Sequence, residues 1–134
     1  MSTTKLSPCE DENLKTCPCV GGTLDKLVQP AILAVLAEGP IHGYRLAECL
    51  GAMPSFAGHK PDASGVYRLL KTMEGRGLVV FSWDQSRTGP AKRTYQITPE
   101  GQRCLGHWVQ TLEEYRNRIT SLLKTARNAA KKGD

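Results

Sequence analysis

Between Leu105 and Ala126, seven uncharged residues recur at spacings of 3, 4, 3, 4, 3 and 4: Leu105, Trp108, Leu112, Tyr115, Ile119, Leu122 and Ala126. This is the a/d pattern of a heptad seam, and it commits the segment to a helix with one apolar edge. Thr98-Pro99-Glu100 supplies the start, with a hydroxyl at the N-cap, a proline at the first helical position and an acid in the first turn. The helix is expected to run to about Asn128. A small domain can cover such a stripe near Leu105. It is less able to reach Ile119 and Leu122, which lie two to three turns further on. Those positions are expected to meet a second copy of the chain.

The segment from Pro61 to Gly77 is a second helix with a sharp division of faces. Val66, Leu69, Leu70 and Met73 fall at i, i+3, i+4 and i+7 and form the buried stripe. Ser64, Tyr67, Arg68 and Lys71 share the opposite side, because the pairs Ser64/Arg68 and Tyr67/Lys71 are each four apart. A hydroxyl, a phenol and two long cations suit phosphates and base edges, although a solvated basic face has the same composition. Asp62 is the expected N-cap, and Gly75 and Gly77 mark the stop.

Upstream, Leu24, Leu27, Val28, Ile32, Val35 and Leu36 give a helix over Thr23–Glu38 that ends at Gly39-Pro40. Pro30 requires either a start near Gln29, with the proline in the first turn, or a kink in a longer helix. A shorter helix follows over about Gly43–Leu50, then a loop from Gly51 to Lys60. After Gly77 the period changes from helical to alternating. Val79, Phe81 and Trp83 point one way and Leu78, Val80 and Ser82 the other, which predicts a strand. Turn residues fill 84–91, and Lys92–Ile97 is the return strand, with Tyr95 and Ile97 on one face. The resulting hairpin carries Arg87, Lys92 and Arg93.

Charge follows the same division. The net charge is +5. Residues 1–59 hold 4 Lys/Arg and 6 Asp/Glu, a net −2, whereas residues 60–134 hold 14 and 7, a net +7. The basic half begins where the divided helix begins, and this is the electrostatic footprint of a nucleic-acid binder. No apolar run approaches the length of a transmembrane helix, and the first twenty residues lack the apolar core of a signal peptide. A cytoplasmic location without a membrane partner is expected, and the odd count of five cysteines then argues for reduced thiols.

Three helices followed by a basic hairpin is the order of a winged helix-turn-helix. There the third helix enters the major groove, and the hairpin, or wing, lies along the backbone or minor groove. The expected fold is mainly α with a small β-hairpin: a winged helix-turn-helix plus a long C-terminal dimerisation helix. Residues 1–22 read as a cysteine-containing arm, 23–98 as the DNA-binding domain, and 99–134 as the dimerisation helix with a basic tail.

The chain resembles the PadR-like family of bacterial transcriptional regulators. The residues that carry the resemblance begin with Pro40-Ile41-His42-Gly43-Tyr44 and Ser64-Gly65-Val66-Tyr67. They continue with Gly77-Leu78-Val79, Lys92-Arg93-Thr94-Tyr95 and Thr98-Pro99-Glu100-Gly101, and the likeness spans about residues 24–126. Cys17-Pro18-Cys19-Val20-Gly21-Gly22, Ser82-Trp83-Asp84 and Gly89-Pro90-Ala91-Lys92-Arg93 are similar to a subgroup labelled polyhydroxybutyrate-responsive repressors. The resemblance implies a repressor that acts as a homodimer on double-stranded DNA with a pseudo-palindromic operator. It assigns DNA contact to Ser64, Tyr67, Arg68 and Lys71 in the helix and to Arg87, Lys92 and Arg93 in the wing. It also implies a planar small-molecule effector between aromatic side chains at the dimer interface, for which Trp108 is a candidate shelf.

Other chemistry competes with this reading. Tyr67 can instead lean into the core beside Leu70, and Arg68 can pair with Glu74. His42, His59 and His107 have no carboxylate or cysteine at ligand spacing on the same element, and His42 reads as a cap or a backbone hydrogen bond. No triad or carboxylate pair can be assembled, so a non-enzyme is expected. Cys17-Pro18-Cys19, with Cys9 nearby, leaves open a soft-metal site completed by Cys49, a thiol redox switch, or incidental thiols. The single intervening residue is tighter than the usual zinc spacing, and no metal or cofactor is assigned. A winged-helix protein-interaction adaptor is the remaining alternative, and it would not need a basic wing.

Overall fold

The computed structural model describes residues 27–56, 61–84 and 92–133. Helix α1 spans Val28–Ala37, a two-residue strand β1 spans Ile41–His42, and α2 spans Gly43–Ala52. A 3-10 turn at Pro54–Phe56 precedes α3 at Ala63–Gly75. Strands β2 (Val79–Asp84) and β3 (Lys92–Ile97) form the wing, and α4 runs from Pro99 to Lys132. The mainly helical winged architecture with a long last helix agrees with the expectation from sequence.

Pro30 resolves as the first of the two alternatives: α1 starts at Val28, and the proline occupies its first turn, where a missing N–H costs no helical bond. Residues 23–26, which the periodicity assigns to this helix, lie outside the described residues. In the structure Val28, Pro30, Ala31, Ile32, Leu33 and Leu36 are all buried, because α2, α4 and β3 surround the helix. It is the central element of the core, as a helix apolar on most sides should be.

The hairpin gains a third strand. β1 pairs antiparallel with β3, opposing Ile41 to Tyr95 and His42 to Thr94, and the sheet order is β1-β3-β2. β2 and β3 pair from Val79↔Ile97 to Asp84↔Lys92. The core joins Ile32, Leu33 and Leu36 of α1 to Leu46 and Leu50 of α2, Val66, Leu70 and Met73 of α3, and Val79 and Tyr95 of the sheet.

Local chemistry sets the boundaries. The Asp62 carboxylate accepts from the Gly65 N–H at 3.3 Å and caps α3. The helix stops in a Schellman turn: Gly77 has φ +78, its N–H donates to the Glu74 carbonyl at 3.0 Å, and the Leu78 N–H donates to the Met73 carbonyl at 3.0 Å. Helix α4 extends beyond the expected end at Asn128 to Lys132.

The start of α4 is pinned to that same turn. Thr98 Oγ1 donates to the Gly77 carbonyl at 2.6 Å and accepts from the Gly101 N–H at 2.9 Å. The Thr98 N–H donates to the Leu78 carbonyl at 3.1 Å. Gly101 is buried here because nothing larger fits: a Cβ would overlap the Leu78 carbonyl oxygen and stand 2.7 Å from Ile97 Cγ1. A backbone carbonyl cannot swing aside as a side chain can. Gly101→Ala is therefore expected to lower stability by about 2 kcal/mol, the overpacking penalty exceeding the helix-propensity gain. Urea unfolding measures this, and an unchanged or raised midpoint would contradict the tight joint.

Candidate nucleic-acid interface

Ser64, Tyr67, Arg68 and Lys71 are all exposed on α3, opposite the buried Val66, Leu70 and Met73. Arg68 lies back toward the start of its helix, its Nη2 3.7 Å from where a Cβ on Gly65 would stand. Its alternative pairing with Glu74 does not form. Tyr67 does not lean into the core beside Leu70. It is 41% exposed, and its ring edge lies across Gly43 at the start of α2. A Cβ at Gly43 would fall 2.8 Å from Tyr67 Cε1 and 3.2 Å from Tyr95 Cε2, so the glycine permits the close approach of α3, α2 and the sheet.

The wing presents its cations on aromatic rings. Arg93, opposite Trp83 in register, has its guanidinium carbon 4.6 Å from the Phe81 ring centre and 5.1 Å from that of Trp83. Lys92 Nζ stands 4.9 Å over the Tyr44 ring. Each such contact is worth about 0.5–1 kcal/mol at an exposed site, enough to bias where a long side chain points. Asp84 lies opposite Lys92 but contacts His42 Nε2 at 3.4 Å instead. His42 Nδ1 is 3.2 Å from Thr94 Oγ1, and its ring stacks on Tyr44 at 5.7 Å. His42 thus occupies the cap position of α2 without a side-chain cap bond, and its imidazole ties the three strands together instead of capping the helix. Arg87 lies outside the described residues.

Between α3 and the wing is a cleft of about 260 Å3, lined by Gly43, Tyr44, Tyr67, Trp83, Lys92 and Arg93. The sequence reading did not assign Tyr44 or Trp83 to this surface. Alternation placed Trp83 on the core face with Val79 and Phe81, and the face is correct. The strand outruns the core, however: Val79 is fully buried and Trp83 is 54% exposed.

The heptad positions divide at Leu112. Leu105, Trp108 and Leu112 are half-buried, and Leu105 and Trp108 pack against the chain's own core. Tyr115, Ile119, Leu122 and Ala126 are exposed, as is every residue from Glu113 to Lys132. An almost wholly apolar groove of about 290 Å3 runs between α1 and the near half of α4, with Ala31, Phe56, Leu105, Val109 and Leu112 in its walls. Val109 and Leu123 are also exposed and lie beside the seam.

Cys9, Cys17, Cys19 and His59 lie outside the described residues. Cys49 and Cys104 are half-buried free thiols, and Gln29 Nε2 approaches Cys104 Sγ at 3.9 Å. Among the described residues no cluster of three or more His, Cys, Asp or Glu could hold a metal ion. No helix there is long and apolar enough to cross a membrane.

Comparison with known proteins agrees with this geometry. The sequence model of the transcriptional regulator PadR-like family matches residues 32–107. A Thermoplasma acidophilum protein described as a transcriptional regulator is 31% identical, with a TM-score of 0.66 over 76% of this chain and 95% of its own. A PadR-like transcriptional regulator from Bacillus cereus is 23% identical, with a TM-score of 0.63 over 75% and 95%. Bacillus subtilis PadR in complex with operator DNA is 24% identical, with a TM-score of 0.56 over 62% of this chain and 46% of that one. No curated protein matches the sequence significantly.

The contact at Gly43 is open to test. Gly43→Ala should push the Tyr67 ring off α2 and lower stability by about 1–2 kcal/mol, because the exposed Tyr67 ring can swing outward but the buried Tyr95 ring must also give way. The readouts are the Tyr67 ring resonances and the urea midpoint. Unmoved resonances would mean that Tyr67 does not rest on Gly43.

Proposed function

The chain belongs to the PadR-like family of transcriptional regulators, and from that membership we propose that it is a homodimeric repressor of a pseudo-palindromic operator. The observation that carries the DNA reading is the union of two exposed cationic elements on one side of the domain. Tyr67, on the α3 face that also carries Ser64, Arg68 and Lys71, lines the same cleft as Lys92 and Arg93 of the wing. In this reading α3 enters the major groove, Arg68 and Lys71 meet base edges or phosphates, and Arg87, Lys92 and Arg93 follow the backbone. The like-folded Bacillus subtilis PadR in complex with operator DNA supports this use of the fold. Binding across a promoter represses without further machinery, so the chain acts by occupancy and not by catalysis.

Self-association rests on the two halves of α4. The far half presents Tyr115, Ile119 and Leu122 to solvent, and the near half forms one wall of the apolar groove against α1. A two-fold axis would seat the far half of each α4 in its partner's groove, burying both surfaces at once. Burial of such side chains is worth roughly 1.5–3 kcal/mol each before ordering costs. The dimer spaces two α3 helices for two half-sites, and a small-molecule effector at this apolar interface would alter that spacing.

Two experiments test the reading. Alanine at Arg87, Lys92 and Arg93 should weaken binding to operator and random DNA alike. The salt slope should fall by about 0.9 for each phosphate that is no longer neutralised. A triple variant with the wild-type slope would remove the wing from the backbone. Leu112→Asp with Ile119→Asp should place unpaired charges in the seam and yield a monomer or an unstable chain without high-affinity operator binding. Sedimentation and a DNA-shift assay read this out, and a variant that still sediments as a dimer on a full operator would move the interface elsewhere.

A further inference from the structure

The wing exposes a large apolar ring in a polar setting. Trp83 is 54% exposed and Tyr44 48%, although both stand beside the cations Lys92 and Arg93. Part of each ring is covered by one of those cations, Trp83 by the Arg93 guanidinium and Tyr44 by Lys92 Nζ. Trp83 is also among the residues that line the cleft. An aromatic surface with two cations at its margin is complementary to a ligand that joins an uncharged ring to an anionic group. The cleft lies between the helices and the wing, with Tyr67 of α3 and Gly43 and Tyr44 of α2 on its helical side. Its volume of about 260 Å3 is that of a local subsite and far below that of a duplex.

We propose that this cleft is a backbone clamp, in which Trp83 packs against a deoxyribose ring of bound double-stranded DNA while Lys92 and Arg93 hold the adjoining phosphate. Trp83 then adds apolar contact at a position where a wing of cations alone would give only charge. Tyr44 is the second wall, and its stack on His42 links the clamp to all three strands. This inference rests on the DNA reading above and adds Trp83 and Tyr44 to the residues that touch DNA. Asp84, opposite Lys92 in register, contacts His42 and forms no ion pair with Lys92.

The test uses the full chain and a long mixed-sequence duplex at low salt, with Trp83→Ala, Trp83→Phe and wild type compared. The first measurement is tryptophan emission on titration with DNA. Wild type should show a change that is absent in Trp83→Phe, since Trp108 is the one other tryptophan. The second is affinity: Trp83→Ala should bind about fivefold more weakly, the loss expected for about 40 Å2 of apolar ring no longer covered, and Trp83→Phe should recover part of that deficit. Both variants should keep the wild-type salt slope, because no charge is removed. If wild type binds DNA while its Trp83 emission stays fixed, or Trp83→Ala binds as tightly as wild type, the clamp is wrong and the DNA reading stands. If salicylate, a planar carboxylate, changes the Trp83 signal and DNA does not, the cleft is a small-molecule site and the clamp is again overturned. If wild type binds no duplex at all, the regulatory reading fails and takes the clamp with it.

Discussion

The contact between Gly101 and the Leu78 carbonyl sets how the long last helix leaves the winged domain. The turn at Gly77 and Leu78 ends α3 and begins the wing, so the position of that carbonyl is fixed by the helix that faces outward with Arg68 and Lys71. Thr98 and Gly101 seat the start of α4 on the same two residues. The exposed face of α3 and the direction of the long helix are therefore set by one small patch of backbone. A missing Cβ and one hydroxyl hold it together. Packing of Leu105 and Trp108 against the core then extends the constraint along the near half of α4.

A second constraint acts across the sheet. β1 is only two residues long, yet it runs directly into α2 without a loop and bonds to the central strand of the wing. His42 reinforces the connection by contacting Thr94 of β3 and Asp84 of β2. The wing is consequently braced at its base by α2, and its base cannot tilt without disturbing the start of that helix. Such bracing favours a preorganised contact surface, in which side chains are held in place before a ligand arrives.

The parts of this fold legible in sequence are those governed by neighbours in the chain. The Asp62 cap, the Gly77 stop, the Thr98-Pro99 start and the return strand Lys92–Ile97 all follow from residues within a few positions of one another. What stayed hidden depends on distant partners. β1 exists because Ile41 and His42 meet Tyr95 and Thr94, and two residues show no period. α1 is buried on most sides because three other elements happen to surround it. In the candidate interface, the exposed face of α3 and the basic wing were readable from spacing and charge. The positions of Tyr44 and Trp83 beside the cleft were not, because alternation gives the direction of a side chain but not the distance to which the core extends along a strand.

The far half of α4 has one more consequence. Its residues from Glu113 to Lys132 are exposed throughout, so within the described residues they gain almost nothing from tertiary packing. They continue a helix already nucleated in its packed near half, so they are held by their own backbone bonds, whose propagation is close to neutral in water. Their persistence is then governed by mass action on whatever docks against them. If that is a second copy, helicity in these last turns rises and falls with the abundance of the protein itself. Gene dosage and dilution at cell division would then act on the conformation of the regulator and, through the dimer, on its apparent affinity for a full operator.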